Sequence, residues 1–311
     1  MSVNTKYEVA VIIINYNTSS YTQKCIESIL DKTASNLNYQ VVVIDNSSEK
    51  NDYQLLKSFI DNLNSNKIQF IRNDINVGFG AGNMLGVHYS NAKYLAFINN
   101  DSYLTNDCLS IIVEAMKKEP NYGICGPLAH TEKGKLLPTI DHFASPAREI
   151  LGRKFLELVN PKKYPNRKKI YIQPQQADFV SGSFMVVKTE DFNEVGGFDT
   201  NIFLYYEETD LCKRLAKNSK FAYLIPEAHF IHYHGISTPK SIAIKIELKI
   251  SLLYVIRKHY GYLWHQIMLN KLRFQYFFKS FFKPSYWKLF NVLIIGAPLS
   301  KSLKLQQKIK S

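Results

Sequence analysis

Apolar and polar positions alternate along the first half of this chain in two rhythms. Val9 to Asn15 and Val41 to Ile44 are unbroken apolar runs, the pattern of strands buried on both faces. Ile68 to Arg72 and Tyr94 to Ile98 read as two further strands. Between them lie segments of helical spacing. Tyr21 to Leu30 carries Cys25, Ile26, Ile29 and Leu30 on one face, and Tyr53 to Leu63 and Leu109 to Lys117 are similar. Gly78 to Tyr89 opens rich in glycine and continues as a helix. Strand-helix alternation with short loops predicts right-handed crossovers and an α/β fold whose central sheet is mostly parallel and flanked by helices.

The order then loosens. Arg148 to Lys169 holds eight basic residues and two acids, with Pro161 and Pro165, and reads as a mobile or acceptor-side insertion. Phe179 to Val187 reads as a strand, Asp199 to Leu215 as a loop entering a helix, and Phe221 to Ile231 as an apolar stretch. From Lys240 the pattern is helical and amphipathic in pieces. Residues 1–239 are expected to form one catalytic unit and 240–311 a helical, basic and aromatic extension.

Charge sharpens that division. Residues 1–239 contain 25 Lys and Arg against 25 Asp and Glu, whereas residues 240–311 contain 14 against Glu247 alone, which is the whole of the +13 excess. The basic stretch is also rich in Phe, Tyr and Trp. Lys279, Lys283 and Lys288 interleave with Phe277, Phe278, Phe281, Phe282, Tyr286 and Trp287, which suits a helix lying on an anionic membrane surface. The other explanation is a helical cap on the catalytic unit, or a homodimer contact. Leu289 to Leu299 is apolar but shorter than the roughly 18 residues that suggest a span. The neutral body, without RNA-binding signatures, argues against a nucleic-acid partner. Four isolated cysteines and no signal-peptide pattern fit a reduced cytosolic setting, peripheral on the inner membrane face.

Ligands of open parallel sheets bind at the carboxyl ends of strands. Three polar clusters occupy such ends: Tyr16-Asn17-Thr18, Asp45-Asn46-Ser47 and Asn99-Asn100-Asp101. Turn or cap roles suffice for Thr18 and Ser47. In Gly78-Phe79-Gly80-Ala81-Gly82-Asn83 the glycines allow either close approach to a phosphate or tight helix packing. Asn83 stands where the dinucleotide fingerprint needs glycine, and no Walker lysine follows. Asp101 is a carboxylate at a strand end, fit for a hard divalent cation or a helix cap. Glu207, Glu208 and Asp210 place three carboxylates in four residues after an aromatic run, either a general base or acids at a helix start. Strand alternation puts His232 and His234 on one side, either of them a possible metal ligand.

In this order, these motifs resemble the family 2 inverting glycosyltransferases of the GT-A fold, with bacterial rhamnosyltransferase-like enzymes as the nearest subgroup. The resemblance spans Val9 to Thr238. It rests on Ile14-Asn15-Tyr16-Asn17, Val43-Ile44-Asp45-Asn46-Ser47-Ser48, Asn76 to Asn83, Ile98-Asn99-Asn100-Asp101, Gly196-Gly197-Phe198-Asp199, Tyr206 to Cys212 and His234 to Thr238. It implies a nucleotide-diphospho-sugar transferase. Tyr16, Asn17 and Asp45 would form the base pocket. Gly82, Asn83 and Asn100 would lie along the rest of the nucleotide-sugar. Asp101 and His234 would hold a divalent cation, Mn2+ or Mg2+, and Ser181, Gly182 and Asp199 would face the acceptor. Glu208 would be the base, with Glu207 as a substitute and Asp210 beside them. Asn99 replaces the first acid of the family's DxD motif, and Glu208 stands where aspartate is commoner. The donor implied is dTDP-rhamnose or a UDP-linked hexose, N-acetylhexosamine or furanose. The acceptor implied is a glycan, on a polysaccharide or a polyprenyl diphosphate. A non-catalytic nucleotide-sugar or glycan-binding module and a nucleotidyltransferase are the competing classes.

Overall fold

In the computed structural model, residues 5–233 and 241–309 are described. The first half alternates as its pattern predicts: β1 (Tyr7–Asn15), α1 (Ser19–Lys32), β2 (Tyr39–Asp45), α2 (Lys50–Leu63), β3 (Ile68–Arg72), α3 (Gly78–His88) and β4 (Ala92–Asn99). Then follow β5 (Ser102–Leu104), α4 (Cys108–Lys118), β6 (Tyr122–His130), β7 (Leu136–Leu137) and β8 (Ile140–Asp141). Next come α5 (Pro146–Leu151), α6 (Arg153–Val159), β9 (Gln175–Ala177), β10 (Phe179–Val180), β11 (Phe184–Lys188) and α7 (Thr189–Glu194). The chain continues through α8 (Glu207–Lys217), β12 (Phe221–His232), α9 (Ile242–Phe282) and α10 (Tyr286–Ile294).

The central sheet is mostly parallel, in the order β3-β2-β1-β4-β11-β6-β12-β5. β1 shows why its run is apolar throughout. Val9, Val11 and Ile13 pack on one face with α1, α2 and α4, and Ala10 and Ile12 pack on the other with residues of α7 and α8. β11 enters antiparallel between β4 and β6, pairing Val186 with Ala96 and with Cys125. The strand expected over Phe179 to Val187 is thus two strands. β10 pairs with β8 in a separate small sheet, and the backbone turns between them where the Ser181 N–H donates to the Thr139 carbonyl at 2.7 Å.

The basic segment Arg148 to Lys169 spans part of α5, all of α6 and a turn-rich stretch after it. The C-terminal helices do pack on the rest of the chain: Ile202 and Ala144 share an apolar core with Leu252, Leu253 and Ile256 of α9 and Leu289 of α10. α9 bends at Gly261, whose φ of 86° is outside the helical region. Among the described residues no helix is long and apolar enough to cross a membrane. All four cysteines are buried and unpaired.

Candidate active site

A cavity of about 350 Å³ opens at the carboxyl ends of β1 and β4. Tyr16, Asn46, Asn76, Gly78, Asn100 and Phe203 form its walls, and Ser241, Ala243, Leu303 and Gln307 close it from the C-terminal region. Its shape depends on Asn15, the polar residue ending β1. The Asn15 amide nitrogen lies 3.0 Å from Asp45 Oδ2, Ser48 Oγ and Asp52 Oδ2, and its oxygen accepts from the Thr22 hydroxyl at 2.7 Å. Thr22 in turn accepts from the Asn100 amide at 2.8 Å, and Thr18 does so at 2.6 Å. One network therefore ties the ends of β1, β2 and β4 to α1.

Tyr16 and Asn100 line this cavity; Asp45 and Asn17 do not. Asp45 is fully buried, spent on Asn15 and on the Ser48 N–H. Asn17, with a positive φ of 56°, accepts from the Glu49 N–H at 2.7 Å and clasps the neighbouring loop. The residue that binds the Gly-rich loop is Asn46. Its oxygen accepts from the Val77 N–H at 3.2 Å, and its amide donates to Asn76 Oδ1 at 2.9 Å and to the Gly78 carbonyl at 3.2 Å.

The glycines of α3 are packing devices. A Cβ on Gly82 would meet Ile14 at 3.3 Å, and one on Gly86 would stand 2.4 Å from Ile12. Asn83 is buried, donating to the Phe79 carbonyl of its own helix. Neither Gly82 nor Asn83 lines the cavity; Gly78 and Phe79 do.

Asp101 lies just past β4, nearly buried, with Oδ1 3.1 Å from His232 Nε2. Its carbonyl accepts from the Tyr233 N–H, which joins it to the end of β12. His234 lies outside the described residues. Among the described residues no three acidic, His or Cys side chains gather as a metal cluster.

A second cavity, of about 260 Å³, holds Glu208 together with Ser181, Tyr205, Tyr206, Asp141, Arg148, Arg153 and Arg167. Tyr205 and Tyr206 both have positive φ, 71° and 74°, so the chain enters α8 through two adjacent left-handed residues. That turn aims Glu208 into the cavity. Gly182 lies between a residue of each cavity: its Cβ position is 3.7 Å from Phe79 and 3.9 Å from Glu208 Cβ. Burial, reinforced by the nearby Asp141 carboxylate, raises the Glu208 pKa to about 7. Glu207 is buried against α3, 3.5 Å from the Gly80 Cβ position, and does not line the cavity. Burial and the Glu208 charge push its carboxyl well above the usual range, and its Oε1 has no hydrogen-bond partner among the described residues.

Asp210 and Asp199 line neither cavity. Asp210 is fully buried, 2.7 Å from His259, 2.8 Å from Lys258 and 2.8 Å from Arg214. Burial would raise its pKa, but His259, Arg214 and Lys258 outweigh that and hold the carboxyl well below the usual range. Asp199 accepts from Lys258 and from the Tyr254 hydroxyl, both at 2.7 Å. These carboxylates dock α9 onto the turn that carries Glu208. Asp210→Asn is expected to lower stability by about 3 kcal/mol, because Lys258 and Arg214 lose their buried counter-charge. The midpoint of urea unfolding measures it, and a midpoint equal to wild type would refute the docking role.

The sequence pattern placed Asn46 in a strand-end cluster, Asn15 in a motif and the arginines in a basic stretch without giving any of them a role, and did not mark Asp141 at all. Asn15 and Asn46 signal themselves as polar residues at the ends of apolar runs. Asp141 has no such signal, since its partners are brought to it by α5, α6 and the segment after α6 that carries Arg167.

A family model for glycosyl transferase family 2 matches residues 10–196. Rhamnosyltransferase WbbL of Escherichia coli K12 is 28% identical over 259 residues, covering 80% of this chain and 93% of that protein. N-acetylglucosaminyl-diphospho-decaprenol L-rhamnosyltransferase of Mycobacterium tuberculosis is 26% identical over 162 residues, about half of either chain. Among solved structures, GalNAc-T7 with UDP, GalNAc and Mn2+ superposes with a TM-score of 0.61 at 15% identity, covering 82% of this chain and 48% of that one. That likeness is one of fold, the GT-A type.

Proposed function

The chain belongs to glycosyl transferase family 2, and on that premise we propose that it moves rhamnose from dTDP-rhamnose to a lipid-diphosphate-linked glycan. The anomeric centre inverts in the transfer. The observation that carries this reading is Glu208, a carboxyl with a pKa of about 7 in a cavity whose Glu208 wall lies next to Gly182, itself beside Phe79 of the strand-end cavity. A group of that pKa is half ionised at neutral pH and suits proton abstraction. Similarity to WbbL supports rhamnose, and similarity to the mycobacterial enzyme supports a sugar-diphospho-lipid acceptor.

In this reading the nucleotide lies in the strand-end cavity, with Tyr16, Asn46 and Asn100 about it. Asp101, with the imidazole of His232 beside it, would hold a divalent cation. One carboxylate and one imidazole fit a hard cation that completes its shell with diphosphate oxygens and water. When bound, the cation supplies charge neutralisation for the departing diphosphate. Glu208 takes the proton of the acceptor hydroxyl, whose oxygen attacks the anomeric carbon as the carbon–oxygen bond to the diphosphate breaks on the opposite face. A single displacement needs no covalent nucleophile. Exposed Phe274, Phe278, Phe281 and Phe282, with Lys279 and Lys283 among them, would rest on an anionic bilayer that presents the acceptor.

The test is calorimetric titration of the purified chain with dTDP, UDP and GDP, with and without Mn2+, and sedimentation with anionic vesicles. Manganese-dependent binding of dTDP is expected, together with co-sedimentation at low salt. Preference for UDP would move the donor to a UDP-sugar. Failure of every nucleotide to bind would overturn the transferase reading, and a protein left in the supernatant would overturn the membrane contact.

A further inference from the structure

Asp141 sits at the end of β8, nearly buried, beneath three guanidinium groups. Arg153 Nε reaches its two oxygens at 2.8 and 2.9 Å, Arg167 Nη1 reaches Oδ2 at 2.6 Å, and Arg148 Nη2 stands 3.5 Å away. One carboxylate leaves most of these donors over, since each guanidinium offers five N–H groups. Arg148 is only 8% exposed, yet its Nε and Nη1 have no hydrogen-bond partner among the described residues. Its other acidic neighbour, Glu149, lies 3.8 Å from Nη1, beyond hydrogen-bonding distance. Lys271 donates to the Glu149 carbonyl, and the Lys249 ammonium is close enough to act on the Glu149 carboxyl. Five cations therefore surround Asp141 and Glu149, with Glu208 on the cavity side and Glu157 on the groove side as the further carboxylates. A buried guanidinium with unused donors is costly unless a ligand supplies acceptors.

The place of this cluster narrows the ligand. On one side, Arg148, Arg153 and Arg167 share the 260 Å³ cavity with Glu208. On the other, Arg153 and Arg167 also border a groove of about 670 Å³ with Lys154, Lys168, Leu158 and Pro161. Next to that groove, α5 and α6 expose Leu151, Phe155, Leu158 and Val159. The arginines thus stand between a general base and an exposed apolar surface.

We propose that Arg148, Arg153 and Arg167, held by Asp141, form the subsite for the diphosphate of an amphiphilic glycosyl diphosphate acceptor. Its sugar points to Glu208 and its hydrocarbon chain runs onto α5 and α6. This rests on the transferase reading for the identity of the ligand, but the subsite is testable by binding alone. A diphosphate offers several anionic oxygens to three forks at once, the geometry that guanidinium groups recognise best. Asp141 keeps the forks in place before the ligand arrives.

The experiment titrates the full chain, without donor, with a short-chain alkyl N-acetylglucosaminyl diphosphate and with the matching alkyl glycoside that lacks the diphosphate. The diphosphate probe is expected to bind the wild type about a hundredfold more tightly than the neutral one. In the Arg153→Gln/Arg167→Gln double variant that preference is expected to vanish, while dTDP or UDP binding with Mn2+ stays at the wild-type value. Arg153→Lys, which keeps the charge but not the fork, is expected to lose about tenfold. Equal binding of both probes by the wild type would overturn the proposal without touching the donor site. Inorganic pyrophosphate displacing the probe at equal concentration would overturn the acceptor assignment in favour of a free diphosphate. Loss of nucleotide binding in a double variant with a wild-type unfolding midpoint would assign the arginines to the donor. Arginine-dependent binding of the diphosphate probe by a chain that binds no nucleotide would leave the subsite standing and remove the transferase reading.

Discussion

Glu208→Gln is expected to lower kcat by about 10²- to 10⁴-fold, the range for losing a general base, while nucleotide affinity stays unchanged. The substitution keeps the shape of the side chain and removes only its ability to accept the proton. Its site tolerates an amide, because burial already raises the carboxyl pKa to about 7. The pH dependence follows from that value. A carboxyl with a raised pKa is protonated, and useless as a base, below about pH 7, and is ionised above it. The wild-type kcat/KM is therefore expected to rise tenfold per pH unit below pH 7 and to level off above it. Glu207 does not offer an alternative, since it does not line the cavity and burial and the Glu208 charge favour its neutral form. The two carboxyls titrate as a pair, so the profile reports the first proton lost from that pair. Measuring kcat/KM from pH 5 to 9 for the wild type and Glu208→Gln decides the matter. A variant with near-normal turnover, or a wild-type profile flat through pH 7, would remove Glu208 from the role of base.

The parallel half of the sheet was legible because β1 and β2 are buried on both faces, and such strands leave unbroken apolar runs. The junction at Ser181 was missed although Ser181-Gly182-Ser183 interrupts the apolar run there. Val180 and Phe184 on either side are both buried, and the Thr139 carbonyl just before β8 fixes where the chain turns. At the site, the sequence located the strand-end clusters but not their division of labour. Asp45 and Asn46 are equally polar neighbours at the end of β2. One is consumed inside the Asn15 network and the other binds the Gly-rich loop, a difference set by which face of the turn each occupies. Asp210 stands in an acidic run with Glu207 and Glu208, yet helical rotation takes it to Lys258 and His259 on α9, a partner far along the chain. Charge proximity in sequence does not report which side of a helix is wet. The Asp141 arginine cluster was partly visible, as a basic excess between Arg148 and Lys169, and its focus on one carboxylate was not.

Gly78→Ala is expected to remove activity by displacing the Glu208 turn, even in protein that remains folded. Gly78 has a φ of 84°, which alone costs an L-residue about 1–2 kcal/mol. The steric clash matters more. A Cβ there would lie 2.2 Å from the Phe203 carbonyl oxygen and 2.9 Å from its carbonyl carbon, and backbone cannot swing aside as a side chain can. The same carbonyl accepts the Phe79 N–H at 3.0 Å, so the new methyl group pushes apart a bonded pair. Phe203 is followed at once by Leu204 and the left-handed residues Tyr205 and Tyr206, which deliver Glu208 to the cavity. Relief of the clash must therefore move the turn that aims Glu208. Overpacking adds roughly 1–3 kcal/mol to the φ cost, for a total near 3 kcal/mol, and turnover should fall by much more than the unfolded fraction explains. Gly134→Ala separates backbone strain from the clash. Gly134 also has a positive φ, 73°, but nothing lies within 4 Å of its Cβ position. It should lose about 1–2 kcal/mol and keep its activity per folded molecule. Urea unfolding and turnover per folded molecule, measured on both variants, give the answer. Equal stabilities and equal turnover would mean that the Phe203 carbonyl yields freely and that the Glu208 turn is not held by α3.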